Sequence, residues 1–320
     1  MDRHGWSSFI FLIVGVFVLV VQTEAKTFFV VDRGASEVDI FNVDSSLTIS
    51  PIKTIPFVGS DFCYGLGPID LAMDPMHRIV FVSFETISVN DQKLTTSKIA
   101  LINYNTFTHI KDIEFPQVND FGGLWYDAPR QRLYAIDRNS NLLYVLKWHP
   151  ETLDIEYERV ITLPHIQYAC ALIVEGDDAY ITEYRYHEPM QYYNHILHYD
   201  ISQDWAYVRT IDNGQASTCL AYDSQRWIFY SGAYDYQGTY HYVIKHSLLN
   251  GILVRDTGGC MIDGQVDMPS GYLYLTTYRT DPLMPNNHFG AVEIWDTSGW
   301  TGDPNQAISP LATYDDPAVL

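Results

Sequence analysis

The sequence predicts an all-β fold assembled from repeated four-stranded units, and three observations carry that reading. A strand–turn–strand pattern recurs five times, at intervals of about 45 to 53 residues. The chain is rich in aromatic residues suited to strands, with 24 Tyr, 15 Phe and 7 Trp. After the N-terminal run, no segment sustains the 3.6-residue apolar period of a helix.

The copies read GPIDLAMDPMHRIVFVSFE from Gly67, FGGLWYDAPRQRLYAIDRN from Phe121, YACALIVEGDDAYITEYR from Tyr168 and STCLAYDSQRWIFYSGAYD from Ser217. A weaker fifth, DGQVDMPSGYLYLTTYR, starts at Asp263. Asp74, Asp127, Asp223 and Asp267 mark the turn, and the third copy turns near Gly176. Two further strand-like runs follow in each unit, for example NLLYVLKWH and then YERVITLP between Asn141 and Pro164. Four short strands per unit, joined by turns bearing Gly, Asp, Asn and Pro, make the pattern of a β-propeller blade.

The ends of the chain suggest how the ring closes. TFFVVDRGASEVDIFNVD, from Thr27, aligns with RLYAIDRNSNLLYVLKW, so it begins at the second strand of a blade. The last residues, TYDDPAVL, read like the start of an innermost strand. The expectation is therefore a single six-bladed propeller over residues 26–320, its first blade closed by the C-terminal segment and no sheet edge left open there.

The strand–turn–strand copies resemble the secreted YVTN and NHL propeller repeats of six-bladed, TolB-like proteins. In those a P-x-x-[IVL]-[AV]-[VM]-D strand precedes a turn and an [LIV]-Y-[VI] strand, and GPIDLAMDPMHRIVFVS fits best. The resemblance spans roughly Thr27 to Leu320. It implies a fold rather than a function, because such repeats occur in sugar-lactone hydrolases, surface-layer proteins and adhesive scaffolds alike.

Composition excludes several classes. Hydrophobic residues at 47% against 18% charged supply a large core and exclude general disorder. With 19 Lys and Arg against 39 Asp and Glu, the net charge is −20, a field that repels phosphate backbones and makes nucleic acid an unsuitable partner. The run Phe9 to Val21 holds thirteen uncharged, mostly apolar residues, short of the ~20 that a membrane-spanning helix needs. Arg3 and His4 precede it, and Thr23 and Ala25 place small residues before a cut after Ala25. Residues 1–25 thus read as a signal peptide, with an uncleaved anchor as the alternative. The expected location is secreted or at the cell surface, with no membrane domain beyond that segment.

Export permits disulfides among Cys63, Cys170, Cys219 and Cys260. Cys170 and Cys219 occupy comparable innermost-strand positions in adjacent units and could pair, with buried free thiols as an equal reading.

Propellers commonly bind ligands at the channel mouth, where the loop into each innermost strand delivers a residue. Those positions hold Asp70, Asp120, His165, Gln215 and Asp263. Such a ring suits a calcium ion or a cationic ligand, with Asp70, Asp120 and Asp263 as metal ligands; the competing reading has these residues capping strands and holding channel water. The resemblance to six-bladed lactonases implies a metal held by acidic and Asn side chains, but no Glu or Asn here follows a family motif. A resemblance to strictosidine synthase would make Glu183 a catalytic candidate. Arg33, Arg138, Arg185 and Arg279 recur near the ends of second strands, either as a guanidinium ring for carboxylates or as local partners of Asp. His187, Glu188, His195 and His198 lie in the Tyr-rich stretch from Tyr184 to Tyr199, where imidazoles would suit zinc or copper and aromatic side chains would anchor a partner.

No nucleophile-elbow, metalloprotease, phosphate-loop or dinucleotide motif is present. The expected function is a non-enzymatic binding or scaffold propeller engaging a protein, glycan or small molecule outside the cytoplasm. The alternative is a metal-dependent, lactonase- or esterase-like hydrolase at the central channel.

Overall fold

The computed structural model describes residues 16–19, 26–32, 36–57, 68–84, 88–89, 92–93, 96–118, 121–137, 140–167, 169–187, 191–212, 219–234, 241–247, 251–256, 260–267, 270–281, 284–300 and 308–316. Every element among them is a strand. The N-terminal sheet holds β1 (Val16–Leu19), β2 (Lys26–Asp32), β3 (Glu37–Val43) and β4 (Ile49–Pro56). The next holds β5 (Pro68–Asp74), β6 (Ile79–Phe84), β9 (Ser97–Asn103) and β10 (Thr108–Phe115), with β7 (Ser88–Val89) and β8 (Gln92–Lys93) forming a small ribbon between β6 and β9. The third comprises β11 (Phe121–Asp127), β12 (Arg132–Asp137), β13 (Leu142–His149) and β14 (Asp154–Thr162). The fourth comprises β15 (Ala169–Glu175), β16 (Asp178–His187), β17 (Gln191–Asp200) and β18 (Ala206–Asp212). The fifth has β19 (Ala221–Asp223), β20 (Ile228–Tyr234), β21 (His241–Ser247) and β22 (Gly251–Asp256). The last has β23 (Cys260–Asp267), β24 (Tyr272–Asp281), β25 (Met284–Asp296) and β26 (Ala312–Asp316).

All these sheets are antiparallel meanders, the four-stranded blades of a propeller. Five of these sheets count as its blades, one fewer than the six expected. The N-terminal strands form a further sheet of different make, because its innermost strand comes from the apolar run before residue 25.

Burial explains why these residues stack as sheets. Along β2, Phe28 and Val30 pack with Tyr274, Val292 and Ile294 of the last sheet, while the intervening Phe29 packs with Leu71 and Val80 of the second. A two-residue period with both faces apolar forces a neighbour on each side. The same logic joins Ile136 and Val145 to Leu172 and Ile181, then Ile173 and Tyr180 to Leu220 and Phe229, then Ala221 and Tyr230 to Leu273 and Trp295.

The expected closure by the C-terminus is not what forms. Ala312–Asp316 pairs with β25, from Ile294↔Ala312 to Gly290↔Asp316, and is the outermost strand of the last sheet. Exposure alternates along it, whereas β5, an innermost strand, is buried at all but one residue. ATYDD lacks the two apolar faces that an innermost position demands, and the open edge of β25 is the nearer slot along the chain. Residues 317–320 lie outside the described residues.

Candidate functional site

Each innermost strand starts on one face of the molecule, so the links between second and third strands share that face, while the turns after the first and third strands lie on the opposite one. The turn face is built on carboxylates. Asp74 accepts the backbone N–H groups of Met76 (3.0 Å) and His77 (3.2 Å) on Oδ1; its Oδ2 accepts Trp148 Nε1–H at 2.8 Å and the Tyr126 hydroxyl at 3.3 Å, and meets His77 Nδ1 at 2.5 Å. Asp127 and Asp223 repeat the turn with Arg130 and Arg226 three residues on. Arg130 continues into the next blade, to the carbonyl of Gly176 at 2.9 Å and the carboxylate of Asp177. These groups hold turns and tie blades together.

The mouth face holds the sequence-predicted ligand residues, and of these the structure describes the side chains of Asp70 and His165. Asp70 is 2% exposed. Its Oδ1 accepts the N–H of Leu71 at 2.6 Å and its Oδ2 accepts the N–H of Leu124, on the neighbouring innermost strand, at 2.5 Å. Bulges at Pro68/Asp70 and at Phe121/Leu124 interrupt the ladders there, and a bulge strands backbone amides that need an acceptor. Asp70 supplies it, so both oxygens expected to hold a metal already serve as an inter-blade staple. His165 is an exposed residue at φ 67° in the link before β15, its ring 4.2 Å from that of Tyr207. Asp120 and Gln215 lie outside the described residues. Asp263 pairs with Thr276 in the β23–β24 ladder, and its side chain lies outside the described set.

Glu183 is fully buried on β16, opposite Ala169 and His195, and its Oε1 accepts the Gln167 N–H at 2.8 Å. This environment closes it to a substrate in the channel. His195 and His198 stand three residues apart on β17, hence on opposite faces; His198 stacks on Tyr180 and meets Asp178 Oδ1 at 2.5 Å. They do not converge on one ion. Glu188 lies outside the described residues, as does the side chain of His187. Cys170 and Cys219 are not bonded to each other: Sγ of Cys219 is turned into its own blade, where it accepts the Gly232 N–H at 3.1 Å. Cys63 falls outside the described residues, as do Arg33, Arg138 and the side chains of Arg185 and Arg279.

Two further features belong to this face. Ligand oxygens of Asp32, Glu37 and Asp39 lie within 4.8 Å of one another around the β2–β3 hairpin, an all-oxygen set of the kind that hard cations prefer. Asp39 also accepts the Thr54 hydroxyl at 2.6 Å. The signal was there as an Asp paired across a tight hairpin with Glu37 and a third acid two residues on, but it does not repeat between blades. The second feature is the Tyr-rich stretch from Tyr184 to Tyr199. It is largely strand: β16 and β17 stay paired through Arg185↔Tyr193 and Tyr186↔Tyr192 to His187↔Gln191. The β24–β25 pair is likewise extended, to Asp281↔Met284, and the β7–β8 ribbon occupies the same link in the second sheet. Among the described residues, this link carries an extended hairpin or a ribbon on the second, fourth and last sheets.

No family model matches the chain, and no curated protein matches it. Solved structures do. One, the crystal structure of a nidogen/laminin complex, aligns at a TM-score of 0.60 with 12% identity, over 85% of this chain and 89% of that one. A second, the structure of U3-55K, aligns at 0.52 with 10% identity, over 96% and 83%. A third, Kuenenia stuttgartiensis hydrazine synthase, aligns at 0.53 with 14% identity, over 76% and 66%. At such identities the likeness is one of fold. The chain is a β-propeller. Propellers serve many chemistries on one scaffold, so function rests on the face just described.

Proposed function

We propose that this chain is an exported, non-enzymatic binding propeller of six blades, the N-terminal sheet being the sixth, which holds a partner protein on the face bearing the extended hairpins. The observation that carries the reading is the state of two of the candidate acids: Asp70, a candidate metal ligand, and Glu183, the catalytic candidate, are buried and hold backbone amides. A hydrolase at the channel would need them facing solvent. The packing of β2 and β3 against both the second and the last sheet supports a closed six-membered ring. Tyr184, Tyr186, Tyr192 and Tyr193, near the tip of the β16–β17 hairpin, supply the residue type that dominates protein-recognition surfaces. The nidogen/laminin likeness, that of a propeller solved in a protein complex, is consistent with this reading.

The Asp32–Glu37–Asp39 group favours one addition, a bound calcium ion at the β2–β3 hairpin. Purified exported protein, assayed on lactones and esters with and without calcium, is expected to show no turnover; metal-dependent turnover would overturn the reading in favour of the hydrolase. Calorimetric calcium titration of the protein and of Asp39→Asn separates the addition: saturable binding lost in the variant supports the ion, and no binding removes it.

A further inference from the structure

The innermost position of the N-terminal sheet is filled by an unusual strand. β1 pairs antiparallel with β2 through Val16↔Val30, Phe17↔Phe29, Val18↔Phe28 and Leu19↔Thr27, and lies beside β5 and β23, the innermost strands of the flanking sheets. Those four residues fall inside the apolar run expected to leave with the signal peptide. The chain just beyond the expected cut is firmly held: the Lys26 ammonium bonds the carboxylate of Asp267 and the hydroxyl of Tyr274, the latter at 3.0 Å, both in the last sheet. A cut after Ala25 would therefore remove β1 and leave β2 in place, its inner backbone edge open between two occupied innermost strands. The C-terminal strand is not there to fill it, being engaged on β25. All other described strands are committed to sheets of their own or to the β7–β8 ribbon.

We propose that the inner edge of β2 is a strand-acceptor site, closed in the precursor by Val16–Leu19 and taken in the mature protein by an extended apolar strand of a partner protein. The proposal rests on the export reading above. An open strand edge presents unpaired N–H and C=O groups, and a strand added to it gains a ladder of backbone bonds. The occupant is specified by what seats there in the precursor: a short, uncharged, extended segment rich in Val, Phe and Leu, running antiparallel to β2. The net charge of −20 further favours a strand with basic flanks.

The test uses the protein exported from a secreting host. Its intact mass fixes the first residue. A fluorescent peptide carrying Val-Phe-Val-Leu between flanking lysines is then titrated by anisotropy, beside an analogue N-methylated on alternate backbone amides. A photo-crosslinking version locates the site. The expected result is a product lacking residues 16–19, saturable binding, affinity weaker by about tenfold or more for the N-methylated peptide, and crosslinks within Lys26–Asp32. A product that keeps residues 16–19 would overturn both the cleavage and the open edge. A product lacking them that does not bind the peptide, or crosslinks it on an outer strand, would overturn the acceptor site and leave the export reading standing.

Discussion

The two faces of this propeller use the same residue types to different ends. On the turn face, buried aspartates recur at one position of the blade and are tied into turns, with Asp74, Asp127 and Asp223 making nearly the same bonds three times. On the mouth face, Asp32, Asp70, Asp137 and Glu183 are as deeply buried, and among their contacts are a cluster with Glu37 and Asp39, two amides, the Tyr144 hydroxyl, and the Gln167 amide. Repetition marks residues that hold the fold, and variation from blade to blade marks the face free to acquire a binding role.

The largest effect that would sharpen this contrast is at Asp74. Asp74→Ala leaves the indole N–H of Trp148, itself buried, without its acceptor and removes two turn bonds, so urea unfolding should show a loss of about 3 kcal/mol. Asp223→Ala, whose bonded partners all belong to its own turn, should cost about 1 kcal/mol. Equal costs would show that the inter-blade bond adds nothing.

Asp70→Asn comes next. The amide keeps one acceptor but turns an NH2 group on the N–H of Leu71 or Leu124, and about 2 kcal/mol should be lost in the same measurement. An unchanged midpoint would return Asp70 to the set of candidate ligands. Gly123→Ala should cost about 1–2 kcal/mol, because its Cβ would stand 3.2 Å from both Cα of Ala171 and the Cys170 carbonyl, backbone atoms of the adjacent blade.

The smallest effect concerns acid. In the turn after β3, hydrogen bonds from the Ser46 hydroxyl and the Thr48 amide hold the Asp44 carboxyl below its ordinary 3.8. A depressed carboxyl stabilises the fold above its unfolded pKa, and the contribution fades as pH falls through the lower, folded value. Ser46→Ala should raise the Asp44 pKa toward 3.8 in a carboxyl NMR titration, while the Asp200 turn, held down by Ser202, stays unchanged as the internal control.

The repeated strands and their turns were legible because each innermost and second strand carries local signals, an apolar run ended by Asp and a turn. The structure begins β5 at Pro68 and β11 at Phe121, within a residue of where the copies were aligned. The turn after the third strand repeats as well, with Asp44, Asp200 and Asp296 each accepting the amide of a Ser two residues on. The repeat alignment puts Asp70 at the mouth, but no local pattern marks the bulged ladders whose amides turn its side chain inward. Of the two readings open for Cys170 and Cys219, the disulfide does not form for a similar reason, since equal places in adjacent blades do not make two thiols face each other.

The sequence by itself determined the strand class, the blade unit and the turn carboxylates, because these depend on contacts within a few residues along the chain. Only the tertiary structure decided which strand fills the innermost slot of the N-terminal sheet, where the C-terminal strand adds, and that Asp32, Glu37 and Asp39 share one corner while Asp70 is buried against two backbone amides. Those outcomes depend on which edges and amides are left unsatisfied when sheets distant in sequence pack together, a competition that no local pattern records.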